Sequence, residues 1–172
     1  MTTLLLIILL IILVLSGTAV YAGYRAAPWV PTFKSDTKRF LRLADIKPGQ
    51  KVYDLGCGDG RLVVAAAKAG GQAVGFEISL LPYLAAKWRI WRSPFRKQCQ
   101  IKLKDFWKAD LNEADVVYFF LMPKVFTKMK AKLEKELKPG AKVVIYTWPM
   151  EGWVPLVADC PIGKTPIYVY QR

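Results

Sequence analysis

The sequence predicts an α/β domain, a doubly wound and mostly parallel sheet with helices on both faces, preceded by one apolar N-terminal helix. Three observations predict it. β-prone and helical segments alternate between positions 51 and 148. A glycine-rich turn joins the first of those strands to the helix after it, and an uncharged stretch runs from Thr2 to Tyr24. A length of 172 residues suits one such domain plus a short appendage.

The appendage comes first. Leu4 to Leu15 is an unbroken aliphatic run, and Ser16 to Gly23 continues it with mostly small residues. About 20 apolar residues cross a bilayer, and tyrosines such as Tyr21 and Tyr24 favour its interface. Residues 1–24 are therefore expected to form a transmembrane anchor. A cleaved signal peptide is the rival, since Val20-Tyr21-Ala22 offers small or branched residues to a peptidase, but no basic n-region precedes the run. Arg25, Lys34, Lys38, Arg39 and Arg42 follow it, so the positive-inside rule places the remainder of the chain in the cytoplasm.

Residues 25–34, with two prolines between Ala26 and Pro31, read as an extended linker. The domain proper is expected over 35–172. Ser35-Asp36 is expected to cap a helix ending near Ala44, with Phe40, Leu41 and Leu43 on its apolar side. After the turn Lys47-Pro48-Gly49-Gln50, strands are expected at Lys51–Leu55, Gln72–Phe76, Gln100–Leu103, Asp115–Leu121 and Lys142–Trp148. Helices are expected at Arg61–Ala69, Leu80–Arg92 and Lys124–Leu137. The Leu80–Arg92 helix aligns Leu80, Leu84, Trp88 and Trp91 on one face, and the last aligns Val125, Met129, Leu133 and Leu137. Two further β-prone pieces, Trp153–Val157 and Ile167–Tyr170, predict a C-terminal β-hairpin closing the sheet edge.

Composition narrows the chemistry. Lys and Arg outnumber Asp and Glu by 26 to 13, a net charge of +13 that favours nucleic acid, an anionic membrane face or an acidic protein surface. There is no histidine, which excludes His-based acid–base and triad chemistry and most zinc-enzyme ligand sets. Cys57, Cys99 and Cys160 are too scattered for a metal site or a disulfide framework, and they suit a reducing compartment. No metal is expected.

The segment Asp54-Leu55-Gly56-Cys57-Gly58-Asp59-Gly60 carries the chemistry. It follows a strand and opens a helix, where glycines permit positive φ and helix amides can hold a polar group. A dinucleotide fingerprint needs its third glycine at position 61, which is Arg61. The spacing here, Gly56-x-Gly58-x-Gly60 with an acid two residues earlier, instead resembles motif I of the Rossmann-like class I methyltransferases. That resemblance implies S-adenosylmethionine as cofactor, with the acid near its methionine ammonium. Glu77 lies 21 residues beyond Gly56 at the end of the next strand, where a carboxylate can accept both hydroxyls of a ribose. Asp105-Phe106 follows the third strand, where methyltransferases place an acid and an apolar residue around adenine. Each acid alone also suits a helix cap or a solvated loop. Their recurrence at three consecutive strand ends favours one ligand site.

A longer resemblance runs from about Pro28 to Trp153. Pro28-Trp29-Val30-Pro31-Thr32, Asp54 to Arg61, Ala73-Val74-Gly75-Phe76-Glu77, Trp88-Arg89-Ile90-Trp91-Arg92 and Lys104-Asp105-Phe106-Trp107-Lys108 carry it. Together they resemble the membrane-anchored protein-lysine methyltransferases that modify the ATP synthase c-subunit and the adenine nucleotide translocase. The resemblance implies that Asp54, Gly56, Cys57, Gly58, Gly60, Glu77, Asp105 and Phe106 form the cofactor site. It implies that Pro31 and Thr32 shape the mouth, and that Phe120, Leu121, Met122 and Pro123 border the transferred methyl. It also implies two partners, the membrane and a membrane-associated protein substrate, with nucleic acid as the rival.

The fourth strand lacks the Asn/Asp-Pro-Pro-Tyr/Phe motif that holds a planar nitrogen, which suits an amine nucleophile better. Tyr118 and Tyr146 are the candidate bases, and both also suit a core or sheet edge. Arg89, Arg92, Arg96 and Lys97 beside Trp88 and Trp91 suit anionic headgroups or single-stranded RNA. Three functions follow: lysine methylation of a membrane-associated protein; methylation of RNA, a lipid or a small molecule; and a non-catalytic cofactor-binding or assembly role.

Overall fold

The computed structural model describes residues 2–27 and 30–172; Pro28 and Trp29 of the family resemblance lie outside them. Helix α1 spans Thr2–Arg25, about 36 Å at the helical rise per residue. Its aliphatic residues from Leu4 to Val14 are exposed, whereas Leu15, Thr18 and Ala22 turn toward the domain. Ala26, Ala27 and the residues from Val30 to Phe33 have little regular structure, yet Ala26 and Thr32 are buried, so the expected linker is packed down at both of these points.

Helix α2 (Lys34–Ala44) leads to strand β1 (Lys51–Leu55), helix α3 (Arg61–Lys68), strand β2 (Gln72–Glu77), helix α4 (Leu80–Trp91) and strand β3 (Cys99–Leu103). Strand β4 (Val116–Phe119), helix α5 (Phe126–Glu136) and strands β5 (Lys142–Tyr146), β6 (Val157–Asp159) and β7 (Ile167–Gln171) complete the domain. The sheet order is β3-β2-β1-β4-β5-β7-β6, parallel except for β7, which runs antiparallel to both β5 and β6. The order reverses between β1 and β4, the switch point at which open α/β sheets bind ligands beyond the carboxyl ends of their strands. Alternate residues of each strand feed two cores: Leu55, Phe119, Met129, Leu133 and Ile145 on one face, and Phe40, Val63, Ala66, Val144 and Ile167 on the other.

Three expectations need correcting. Ser35-Asp36 does not cap α2; Phe33 occupies that position without a side-chain cap bond, and Asp36 lies inside the helix, buried against Arg39 and Tyr146. The hairpin exists, but its first strand begins at Val157, and Trp153 instead packs on Tyr170 and donates to Glu134. On α4 the expected apolar face is the exposed one: Leu84, Trp88 and Trp91 are 51–69% exposed, and Pro82 and Ala86 are buried. The reason is close approach. A Cβ on Gly60 would sit 3.0 Å from the Ala86 Cβ, so only small residues fit where α4 crosses the start of α3.

Candidate functional site

The glycine turn is tied to its neighbour strand before any ligand is considered. The Gly56 and Cys57 amides both donate to the Phe76 carbonyl, at 2.9 and 3.0 Å. Gly56 adopts φ +85°, and a Cβ there would meet only Leu121 at 3.9 Å, so this glycine keeps a cavity open. Gly60, also expected in the cofactor site, instead serves the α3–α4 packing described above and does not line the cavity. Cys57 lines it but is wedged against Gly75, where a Cβ would fall 2.6 Å from Sγ. Burial, then the charges of Asp54 and Glu77, pushes the thiol well above its ordinary value, so Cys57 is filler rather than nucleophile.

The cavity encloses about 820 Å³ with its open mouth included. Four carboxylates face it, and the three nearest the glycine turn are each treated differently. Glu77 is held by amides: Gly58 N donates to Oε2 at 2.9 Å, and Ile78 N and Ser79 N to Oε1 at 2.8 Å. Asp59 is clamped by arginines, with Arg61 Nε at 2.9 Å from Oδ1 and Arg61 Nη2 and Arg89 Nη2 each at 2.7 Å from Oδ2. Burial alone would raise its pKa; the hydrogen bonds from Arg61 and the charge of Arg89 outweigh that and hold it low. Asp54 is buried with no hydrogen-bond partner among the described residues, and burial, then Glu77 and Asp59, pushes it well above the usual carboxylate range. A cavity with a carboxylate lacking its counter-charge fits a ligand that brings a cation.

Farther along the strand ends, Asp105 Oδ1 accepts from Trp107 N at 3.0 Å while Oδ2 takes Arg25 Nη2 at 2.7 Å. Phe106 is buried and forms the adjoining wall. The mouth is bordered by Pro31, Thr32, Phe120 and Leu121, with Thr32 Oγ1 and the Tyr118 hydroxyl sharing a 3.3 Å bond behind it. Met122 and Pro123, expected beside the reacting methyl, are exposed and do not line the cavity, because the chain turns away there, with Met122 capping a 3₁₀ segment that starts at Pro123. The candidate bases separate as well. Tyr118 reaches the cavity, but burial raises its pKa far above neutrality. Tyr146 does not reach it, donates to Asp36 at 2.5 Å and is pushed up to about 12 by burial and that bond. Neither accepts a proton at neutral pH.

The Asp59–Arg61–Arg89 clamp was not anticipated from the sequence. Arg61 also donates to the Thr32 carbonyl at 2.6 Å, so one guanidinium joins the glycine turn to the mouth. Its only advance signal was an arginine standing where a dinucleotide site has glycine.

Comparison with known proteins decides the class. Residues 54–157 match the family model described as the ANTKMT methyltransferase domain. The chain belongs to this family. A protein-lysine N-methyltransferase from Saccharolobus islandicus is 40% identical over 149 residues, covering 83% of this chain and 92% of that protein. An adenine nucleotide translocase lysine N-methyltransferase from Mus musculus is 34% identical, covering 90% and 73%. A lysine N-methyltransferase of the ATP synthase c-subunit, from Xenopus laevis, is 35% identical over 74% of this chain, which spans only 56% of that relative. Among solved structures, an RNA methyltransferase from Salinibacter ruber in complex with S-adenosyl-L-homocysteine is 34% identical, with a TM-score of 0.78 and coverage of 83% and 93%. This ANTKMT-family chain is an S-adenosylmethionine-dependent methyltransferase, and the cation its acidic cavity lacks is one the cofactor carries twice, as ammonium and as sulfonium.

Proposed function

We propose that this chain is a membrane-anchored protein-lysine N-methyltransferase acting on a membrane-associated protein, its domain on the cytoplasmic side. The observation that carries the lysine assignment is 40% identity to a relative named for that activity, across 92% of the relative's length. The anchor is supported by the uncovered aliphatic surface of α1 and the basic residues that follow it.

The residues divide the cofactor between them. Asp54 would take the ammonium, Glu77 the ribose hydroxyls, and Asp105 with Phe106 the adenine. The bound cofactor supplies a methyl group on an electron-poor sulfur. The lysine side chain would enter past Pro31 and Thr32, and Tyr118, Phe120 and Leu121 would hold its aliphatic stem in line with the methyl. The neutral amine nitrogen then forms the new N–C bond as the C–S bond breaks. Its surplus proton passes to water at the mouth, since Tyr118 is held protonated.

RNA is the second reading, favoured by the Salinibacter relative, which is named an RNA methyltransferase, and by the net charge of +13. One experiment decides. The purified full chain is incubated with membranes, RNA and methyl-labelled cofactor, and the labelled site is mapped by mass spectrometry. Label is expected on a lysine of a membrane protein. Label confined to RNA or to lipid would sink the lysine assignment.

A further inference from the structure

We infer that the C-terminal turns of α1, from Thr18 onward, with Ala26 just beyond, are a structural part of the cofactor site, and that Arg25 is a positioning residue for Asp105. The inference rests on the assignment of Asp105 to the cofactor made above.

A tether needs no contacts with the domain it carries. This helix end makes them with three successive loops, those after β2, β3 and β4. After β2, Leu80 N donates to Thr18 Oγ1 at 3.2 Å and Ser79 Oγ to the Thr18 carbonyl at 3.4 Å. After β3, Arg25 pairs with Asp105. After β4, Met122 N donates to the Ala26 carbonyl at 3.3 Å, and Lys124 Nζ reaches the carbonyls of Gly23 and Tyr24 at 3.3 and 3.2 Å. Those last carbonyls have no partner within the helix, so a cation there satisfies the helix end and its dipole together. Glu77 ends β2 where the first of these loops begins, the other two carry Asp105 and Leu121, and the helix end closes the remaining side: Ala22, Arg25 and Ala26 line the cavity.

Arg25 is the informative residue. An arginine at the end of a membrane helix ordinarily extends its stem and puts the charge into water. This one turns inward to Asp105, 80 residues away in sequence, and its Nε is buried without a hydrogen-bond partner among the described residues. Arg25 lines the cavity beside Asp105 and Phe106, on the side where the adenine would lie. By reciprocity, a cofactor that favours the docked helix end is itself bound more tightly when that end is docked. Cofactor uptake and the seating of the domain on its anchor are therefore one coupled event.

The full chain in detergent or nanodiscs tests this. Titration with S-adenosylhomocysteine and steady-state kinetics are compared for wild type, Arg25→Ala and Arg25→Lys, alongside amide hydrogen exchange. Arg25→Ala is expected to raise the dissociation constant and the cofactor KM about tenfold or more, as for losing a hydrogen bond to a charged group. The kcat at saturating cofactor should stay within about twofold, since the interaction is a ground-state one. Arg25→Lys should recover part of the loss. In wild type, S-adenosylhomocysteine should slow exchange at residues 18–26. The inference is overturned if Arg25→Ala binds as wild type does, or if ligand leaves exchange at 18–26 unchanged, a readout that needs no variant to fold. Wild type that takes up no S-adenosylhomocysteine would sink the cofactor assignment, and this inference with it.

Discussion

Two aspartates, Asp36 and Asp54, are almost equally buried in this molecule and have opposite surroundings. Asp36 accepts from Arg39 Nη1 at 3.0 Å and from the Tyr146 hydroxyl at 2.5 Å. Arg39 continues to the Asp159 carboxylate at 2.9 Å and to the Thr165 carbonyl, so one network joins α2 to β5 and to the β6–β7 hairpin. Burial alone would raise the pKa of Asp36; Tyr146 and Arg39 more than offset it and hold the carboxyl below its ordinary value near 3.8. Asp54 has nearly as little exposed surface but lies deeper in the protein, and its charged neighbours are negative. A buried carboxylate with its cation built in is architecture. One without it is where we propose that the cofactor places its ammonium.

The largest effect that tests this contrast is on stability. Removing one partner of a buried ion pair leaves the other charge uncompensated, at a cost of about 3–5 kcal/mol. Asp36→Ala should therefore lower the unfolding free energy by about 3 kcal/mol, the low end because Arg39 keeps Asp159. Denaturant unfolding of the full chain in detergent measures it. A loss under about 1 kcal/mol would show that the network is ornamental and that the contrast is false.

Asp54→Asn should behave in the opposite way. Folding stability should be unchanged or slightly higher, because a buried carboxyl that the fold leaves without a partner is replaced by an amide that cannot ionise. Cofactor affinity should fall by about 1.5–3 kcal/mol, roughly 10- to 150-fold, as for losing a hydrogen bond to a charged group. Calorimetric titration and a melting curve on the same preparation separate the two. Equal destabilisation by Asp54→Asn and Asp36→Ala would merge the two residues into one structural class.

The sequence carried one side of this contrast far better than the other. Asp54, Glu77 and Asp105 stand at the carboxyl ends of three strands, where local pattern and sheet topology together locate them. Asp36 looked like a helix cap because its partner Tyr146, and the Asp159 that shares Arg39 with it, lie more than 100 residues away and no spacing links them. The same blindness hid Asp59–Arg89 and Arg25–Asp105, which are ion pairs across loops. The exposed stripe of α4 failed for another reason. Helical period identifies an apolar face, but whether that face meets protein, lipid or water depends on its neighbours, here on Gly60 admitting only Ala86. Gly56 and Gly60 read alike in the motif, yet one opens a cavity and the other lets two helices touch.

The smallest effect is the dependence of cofactor affinity on pH, and it isolates Asp54. In the free protein this carboxyl keeps its proton to a pH well above 3.8. Beside an ammonium it gives the proton up. Across that window, binding must release a proton, so affinity rises with pH by at most about tenfold per unit and levels off above the raised value. Asp36 adds nothing there: its folded pKa lies below the ordinary one, so its stabilisation is complete above pH 3.8 and is lost only as pH falls through that lower value. The groups that surround Asp54 are Glu77 and Asp59, which carry their own amide or arginine partners, and Cys57 and Tyr118, which burial keeps protonated. Titrations below about pH 7 avoid deprotonating the amino group of the cofactor itself. Calorimetry in buffers of different ionisation enthalpy should show proton release in wild type and none in Asp54→Asn. Release that persists in the variant would place the titrating carboxyl elsewhere and leave Asp54 without its distinguishing property.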